Sequence, residues 1–92
     1  MNTFPKVSVV TTTYNDIENL KRILAEVKRQ TYPNIEHIIV DGGSTDGTVD
    51  LLKELEEKEP GRISWISEKD NGIYDAINKG ICMATGDIVG CC

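Results

Sequence analysis

Hydrophobic and polar positions follow two alternating patterns along the chain. Runs of β-branched and aliphatic residues predict buried strands near residues 7–13, 35–41, 63–66 and 87–90. Between them, apolar residues recur at helical spacing over residues 20–27, 49–55 and 73–84, which predicts three amphipathic helices. Because strands and helices alternate, we expect an α/β fold with a parallel sheet of about four strands, the first of them central.

The third predicted helix has the most regular apolar stripe. We expect its apolar positions to face the sheet: Ile73, Ala76, Ile77, Gly80, Ile81 and Ala84. Asp75, Asn78 and Lys79 lie on a different face of that helix. They form either a solvated surface with an Asp75–Lys79 ion pair or the floor of a ligand pocket, and the spacing fits both.

Composition excludes several classes of protein. The 92 residues carry a net charge of -5, with 27% charged and 39% hydrophobic residues, which is ordinary for one globular domain. The negative charge argues against a nucleic-acid partner and against a polybasic membrane patch. No apolar run could cross a bilayer and no secretory signal is visible, so we expect a cytoplasmic location with Cys82, Cys91 and Cys92 reduced.

Candidate chemistry is concentrated in the loops after the first two strands. Tyr14, with Thr12 before it, offers a ring that could stack on a nucleobase, and Asp41 offers an exposed carboxylate for a base N–H or a ribose hydroxyl. Gly43 would let the backbone approach a ligand closely. The alternative is that Tyr14 packs on the sheet edge and the glycines after Asp41 only form a turn.

Other site types are not supported by the sequence. The glycine spacing fits neither a dinucleotide fingerprint nor a P-loop, and residues 41–47 lack the glycine position of a calcium loop. His37 lies inside a predicted strand, where we expect a hydrogen-bonded histidine rather than a ligand or base. No D-x-D pair occurs, so no metal site can be assigned.

Taken in order, the strings VSVVTTTYN, QTYPNIEHIIVDGGSTDGT, EKDNGIYDAINKG and ATGDIVG resemble the family 2 glycosyltransferases. The resemblance runs from Lys6 to about Gly90. The string DNGIYDAINKG is most similar to members in bacterial polysaccharide assembly, where D-x-G-I-Y-D-A-x-N-K-G recurs. The resemblance implies the Rossmann-like half of a GT-A fold and an inverting enzyme that uses a nucleotide sugar, usually UDP-linked.

The resemblance also implies roles for individual residues. Thr12 and Tyr14 would contact the base, Asp41 would read the base or ribose, and Gly43 lies beside it. Three residues would border the nucleotide and the donor sugar: Asp70, Asp75 and Asn78. Ile77 stands where many members have an arginine, so a donor contact from that arginine is not expected here.

In this family the metal-binding carboxylates and the catalytic base follow the G-D-I-V-G string. We therefore expect residues 1–92 to form a single nucleotide-binding domain, incomplete at the C-terminus and inactive alone, with no catalytic residue and no bound metal. Mg²⁺ or Mn²⁺ is expected for the full-length enzyme, which could associate peripherally with the inner face of the membrane. Apolar surface at Val89, Cys91 and Cys92 is expected to favour self-association. A non-catalytic nucleotide-binding module and an α/β interaction domain without a ligand remain as alternatives.

Overall fold

A parallel sheet with strand order β3-β2-β1-β4 organises the protein. The structure, a computed structural model, describes residues 4–69 and 71–91; the expectations for Asp70 and Cys92 fall outside these residues. The strands are β1 (Val7–Thr13), β2 (Ile35–Asp41), β3 (Ile63–Ser67) and β4 (Ile88–Cys91). The helices are α1 (Ile17–Lys28), α2 (Thr48–Lys58) and α3 (Ile73–Met83). The predicted elements and the central position of β1 are confirmed.

The helices cover both faces of the sheet. On one face α1 and α2 form a core with β2 and β3, made of Leu20, Leu24, Ile39, Leu52 and Ile63. On the other face α3 contributes to a second core, made of Val10, Ile38, Val40 and Ala76. The buried strands are therefore apolar on both sides, which explains their continuous β-branched runs.

Contact between α3 and the sheet differs from the prediction. Only Ala76 and Gly80 are buried in this helix, whereas Ile73 is 62% and Ile81 is 47% exposed. A Cβ on Gly80 would overlap the side chain of Val10, so the helix backbone lies very close to β1. The small residues occupy the narrow line of contact, and the isoleucines on either side of it remain exposed.

A polar cluster joins the α3–β4 connection to the amino ends of β1 and β2. The Glu36 carboxylate accepts hydrogen bonds from the Thr85 amide at 2.9 Å and the Ser8 hydroxyl at 2.7 Å. It also forms an ion pair with Lys6 at 3.3 Å. These partners, the Thr85 amide first among them, lower the pKa of Glu36 to about 2. The Gly86 amide donates to Ser8 Oγ at 2.9 Å, which brings this turn against β1.

Replacing Gly86 with alanine should destabilise the protein. The added Cβ would lie 2.5 Å from Ser8 Oγ, 2.8 Å from the Lys6 carbonyl oxygen and 2.9 Å from the Ser8 amide nitrogen, so β1 would have to shift. We expect a loss of about 1–3 kcal/mol in the free energy of unfolding, measured by urea denaturation. Gly90→Ala is the control, because nothing lies within 4 Å of its Cβ position. Equal stability of the two variants would contradict the close approach at Gly86.

His37 is a buried strand residue, as predicted, and is 3% exposed. Its Nε2 lies 2.8 Å from the Thr11 hydroxyl, to which it is hydrogen-bonded. Burial, with a smaller contribution from the nearby Arg62 charge, lowers the pKa of His37 from 6.5 to about 4. The imidazole is therefore neutral near pH 7 and contributes to the structure of the sheet.

This lowered pKa makes stability depend on pH. The unfolded chain takes up the His37 proton near pH 6.5 and the folded protein only near pH 4, so stability is greatest above pH 6.5 and falls as the pH approaches 4. The expected contribution is at most about 3 kcal/mol. A His37→Gln variant, whose amide does not titrate, should show a smaller decline between pH 7 and pH 4.5 in urea unfolding. Parallel declines in both proteins would show that His37 is not the responsible group.

Candidate functional site

The ends of β1 and β2 bring two loops together at the carboxyl edge of the sheet. Thr13 pairs with Asp41 at the last position of the register, and the loops that follow are joined through Asn15. The Asn15 amide donates to Ser44 Oγ at 2.8 Å, and its side-chain oxygen accepts from the Thr45 amide at 2.7 Å. Among the described residues, Asn15 alone has a positive φ without being glycine, at 46°. Tyr14, directly before it, is 63% exposed.

Asp41 is buried at 0% exposure, so the expectation of an exposed carboxylate is wrong. The carboxylate accepts hydrogen bonds from the Ser44 amide at 2.9 Å, the Gly43 amide at 3.2 Å, Ser67 Oγ at 2.7 Å and Ser44 Oγ. The physical reason is its position: β3 lies alongside, with Ser67 paired to Asp41, and the following loop folds back over the side chain. Asp41 therefore shapes the loop.

A second carboxylate, that of Asp46, joins the amino ends of two helices. Its Oδ2 accepts from the Ile17 amide of α1 at 3.0 Å, and its Oδ1 accepts from the Thr48 amide of α2 at 3.2 Å. The hydrogen bond from the Thr48 hydroxyl is the main cause of the lowered pKa of Asp46. The contact between Asp46 and α1 could not be read from the sequence, because Ile17 and Asp46 are 29 residues apart.

Tyr14 contributes to the lining of two cavities. One, of about 250 Å³, is lined by Thr12, Thr13, Tyr14, Gly72, Ile73 and Ala76. The other, of about 320 Å³, is lined by Tyr14, Gly42, Gly43 and Lys69. The structure thus brings together three of the predicted site residues: Thr12, Tyr14 and Gly43. Lys69 was not predicted from the sequence, because its approach to Gly43 depends on the position of the β3 end.

The predicted residues of α3 lie apart from these cavities. The Asp75 carboxylate accepts from the Asn71 amide at 3.0 Å and forms an ion pair with Lys79 at 3.2 Å. The Asn71 amide is the main cause of the lowered pKa of Asp75. Asn78 is exposed and lines neither cavity. The Asp75–Lys79 pair favours the solvated surface over the pocket floor.

Metal-binding and membrane-spanning features were searched for in residues 4–69 and 71–91. This part of the chain contains no group of three or more His, Cys, Asp or Glu side chains that could hold a metal ion. Within the same residues no helix is long and apolar enough to cross a bilayer. The carboxylates near the cavities are already engaged with donors of the protein, so the described residues do not fit a metal.

The sequence profile of glycosyl transferase family 2 matches residues 8–92. The chain belongs to this family. An uncharacterized glycosyltransferase of Mycobacterium tuberculosis is 46% identical over 90 residues, which cover 97% of this chain and 33% of that protein. A PGL/p-HBAD biosynthesis glycosyltransferase of Mycobacterium bovis is 37% identical over 82 residues, covering 89% of this chain and 32% of that protein. This family 2 chain therefore spans about a third of the length of these relatives.

Solved structures of similar proteins have the same fold. The mannosyltransferase PcManGT from Pyrobaculum calidifontis, in complex with GDP-Man and Mn²⁺, superposes with a TM-score of 0.83 at 32% identity, covering 92% of this chain and 26% of that one. S. aureus TarS in complex with UDP-GlcNAc gives a TM-score of 0.81 at 23% identity, covering 94% and 25%. The Rossmann-like sheet of this family 2 chain thus matches the GT-A fold.

Replacing Asp41 with alanine should destabilise the protein, because its buried donors would lose their acceptor. We expect the free energy of unfolding to fall by about 1–3 kcal/mol in urea denaturation. Glu57→Ala is the control, since Glu57 is an exposed residue of α2. If Asp41→Ala were as stable as the control, the carboxylate would not organise the loop.

Proposed function

We propose that this chain is the nucleotide-binding part of a glycosyltransferase that transfers a sugar from a nucleotide-sugar donor to an acceptor hydroxyl. The observation that supports this most is the exposed side chain of Tyr14, which lines two cavities at the carboxyl edge of the sheet. Ligands of open parallel sheets bind at this edge. Residues 1–92 would form one nucleotide-binding domain of a longer enzyme, inactive alone and located in the cytoplasm or at the inner face of the membrane.

The donor is proposed to be UDP-linked, and the product to belong to a cell-surface polysaccharide. The motif DNGIYDAINKG is the basis for the polysaccharide role, and the M. bovis relative is named a PGL/p-HBAD biosynthesis glycosyltransferase. The GDP-Man bound to PcManGT supports a nucleoside diphosphate sugar as the donor class. The Mn²⁺ of that structure supports use of Mg²⁺ or Mn²⁺ by the complete enzyme, with ligands outside the residues described for this chain.

Four residues of the site have proposed roles that follow from their surroundings: Thr12, Tyr14, Asp41 and Gly43. The Tyr14 ring would stack on the base, and Thr12 would line the cavity beneath it. Gly43, with φ at 89°, would bring its backbone against the ligand. Asp41 would act indirectly by holding this loop. For Asp70, Asp75 and Asn78, the proposed role at the border of the donor sugar rests on the family resemblance alone, since Asp75 and Asn78 line neither cavity.

The proposed surface for self-association is the β4 edge. Ile88 is 54% exposed and Val89 is 42% exposed, and β4 pairs only with β1 in the described sheet. An uncovered apolar edge strand of this kind favours pairing with another chain.

Titration with uridine diphosphate, followed by the amide signals of ¹⁵N-labelled protein, tests the nucleotide proposal. We expect shifts at Tyr14 and Gly43 and a Kd of about 0.1–1 mM, little changed by Mn²⁺ because the described residues hold no metal cluster. Tyr14→Ala should weaken binding by about 1–3 kcal/mol through lost stacking. A titration that leaves both amides unshifted at millimolar nucleotide would exclude this site.

Two glycines provide a matched control for that titration. Gly43 and Gly61 both have left-handed backbones, with φ of 89° and 83°, so an alanine at either position carries a similar backbone cost. Gly61 lies in the turn before β3, at the amino edge of the sheet. Gly43→Ala should therefore weaken uridine diphosphate binding, and Gly61→Ala should not.

A further inference from the structure

Among the described residues that line the cavity between Tyr14 and the glycine loop, Lys69 is the charged one. Lys69 follows the carboxyl end of β3, and its backbone nitrogen would lie 3.6 Å from a Cβ built on Gly43. The backbone of Lys69 is therefore held against the glycine loop, and Lys69 lines the same cavity as Tyr14. A base stacked on the Tyr14 ring would share this cavity with Lys69.

The charge of Lys69 is available to a ligand. Within residues 4–69 and 71–91, no carboxylate forms an ion pair with its ammonium group. The neighbouring Lys79 differs, because it is bound to Glu68 at 3.0 Å and to Asp75 at 3.2 Å. Asp41, the carboxylate at the adjoining strand end, is buried and already accepts four hydrogen bonds. This part of the site therefore offers a cation to a ligand where the sequence suggested an anion.

A lysine ammonium group only donates hydrogen bonds, so it selects for acceptors on the base. Uracil and guanine present a carbonyl oxygen at the position where cytosine and adenine present an amino group. The carbonyl oxygen accepts a hydrogen bond from the ammonium group. An exocyclic amino group is itself a donor, so it cannot accept a hydrogen bond from the lysine. A cation in this cavity should therefore favour the member of each pair, pyrimidine or purine, that carries the carbonyl oxygen at this position.

We propose that Lys69 is a specificity-determining residue that selects oxo nucleobases over amino nucleobases. The proposal rests on the proposed nucleotide-binding function and deepens it. In the bound complex the Lys69 ammonium group donates to the exocyclic carbonyl oxygen of a base stacked on Tyr14. Uridine and guanosine diphosphates are then preferred to their amino counterparts, cytidine and adenosine diphosphates.

The test compares these four nucleoside diphosphates in titrations of the ¹⁵N-labelled chain. Lys69→Met removes the charge and keeps the length of the side chain, and Lys53→Met, at an exposed position of α2, is the matched control. We expect the wild-type protein and the control to bind the oxo member of each pair at least about fivefold more tightly, since hydrogen bonds to charged groups are the stronger ones. In Lys69→Met both ratios should fall to near one.

Three results would overturn the proposal. Unchanged ratios in Lys69→Met would show that the base is read elsewhere. An equal loss of affinity for all four nucleotides would assign Lys69 to the phosphates instead. Binding by the wild-type protein without any preference would reject the selectivity while retaining nucleotide binding. Failure of the wild-type protein to bind any of the four would instead reject the proposed function itself.

Discussion

Burial of the Asp41 carboxylate is the constraint on which the carboxyl edge of the sheet depends. A buried charge is costly unless donors surround it, and the loop after β2 supplies most of them. To do so the chain turns through a left-handed conformation at Gly43 and brings Ser44 back over the strand end. Ser44 also accepts from the Asn15 amide, so the same contacts fix the backbone beside Tyr14. One carboxylate thus determines the shape of both loops.

The two edges of the sheet differ in how their polar groups are used. At the amino edge, the Glu36 carboxylate contacts Lys6, Ser8 and Thr85. These polar groups therefore interact with one another within the protein. At the carboxyl edge, the buried carboxylate of Asp41 is also satisfied internally, but Tyr14 and Lys69 line a cavity. The stabilising interactions and the groups available to a ligand are therefore separated along the strands, as is common in α/β proteins.

Sequence patterns predict the elements of this fold because the inner strands β1 and β2 carry apolar residues on both faces and each helix carries an apolar stripe on one. The strand bounds are correct within one residue, and the resemblance leads to the right family. The burial of Asp41 could not be predicted, because its partner Ser67 is 26 residues away and on a different strand. The exposure of Ile73 and Ile81 also could not be predicted, since periodicity gives the face of a helix but not its distance from the sheet.

The carboxylate of Asp46, shared by α1 and α2, has a consequence for cooperativity. If the first turn of α2 frayed, Asp46 would move with it and the first turn of α1 would lose an acceptor, so order at the start of α1 depends on order at the start of α2. The loops between them are then ordered before any ligand arrives. Binding at this edge therefore costs little conformational entropy. A larger share of the free energy of each contact with the ligand then contributes to the affinity.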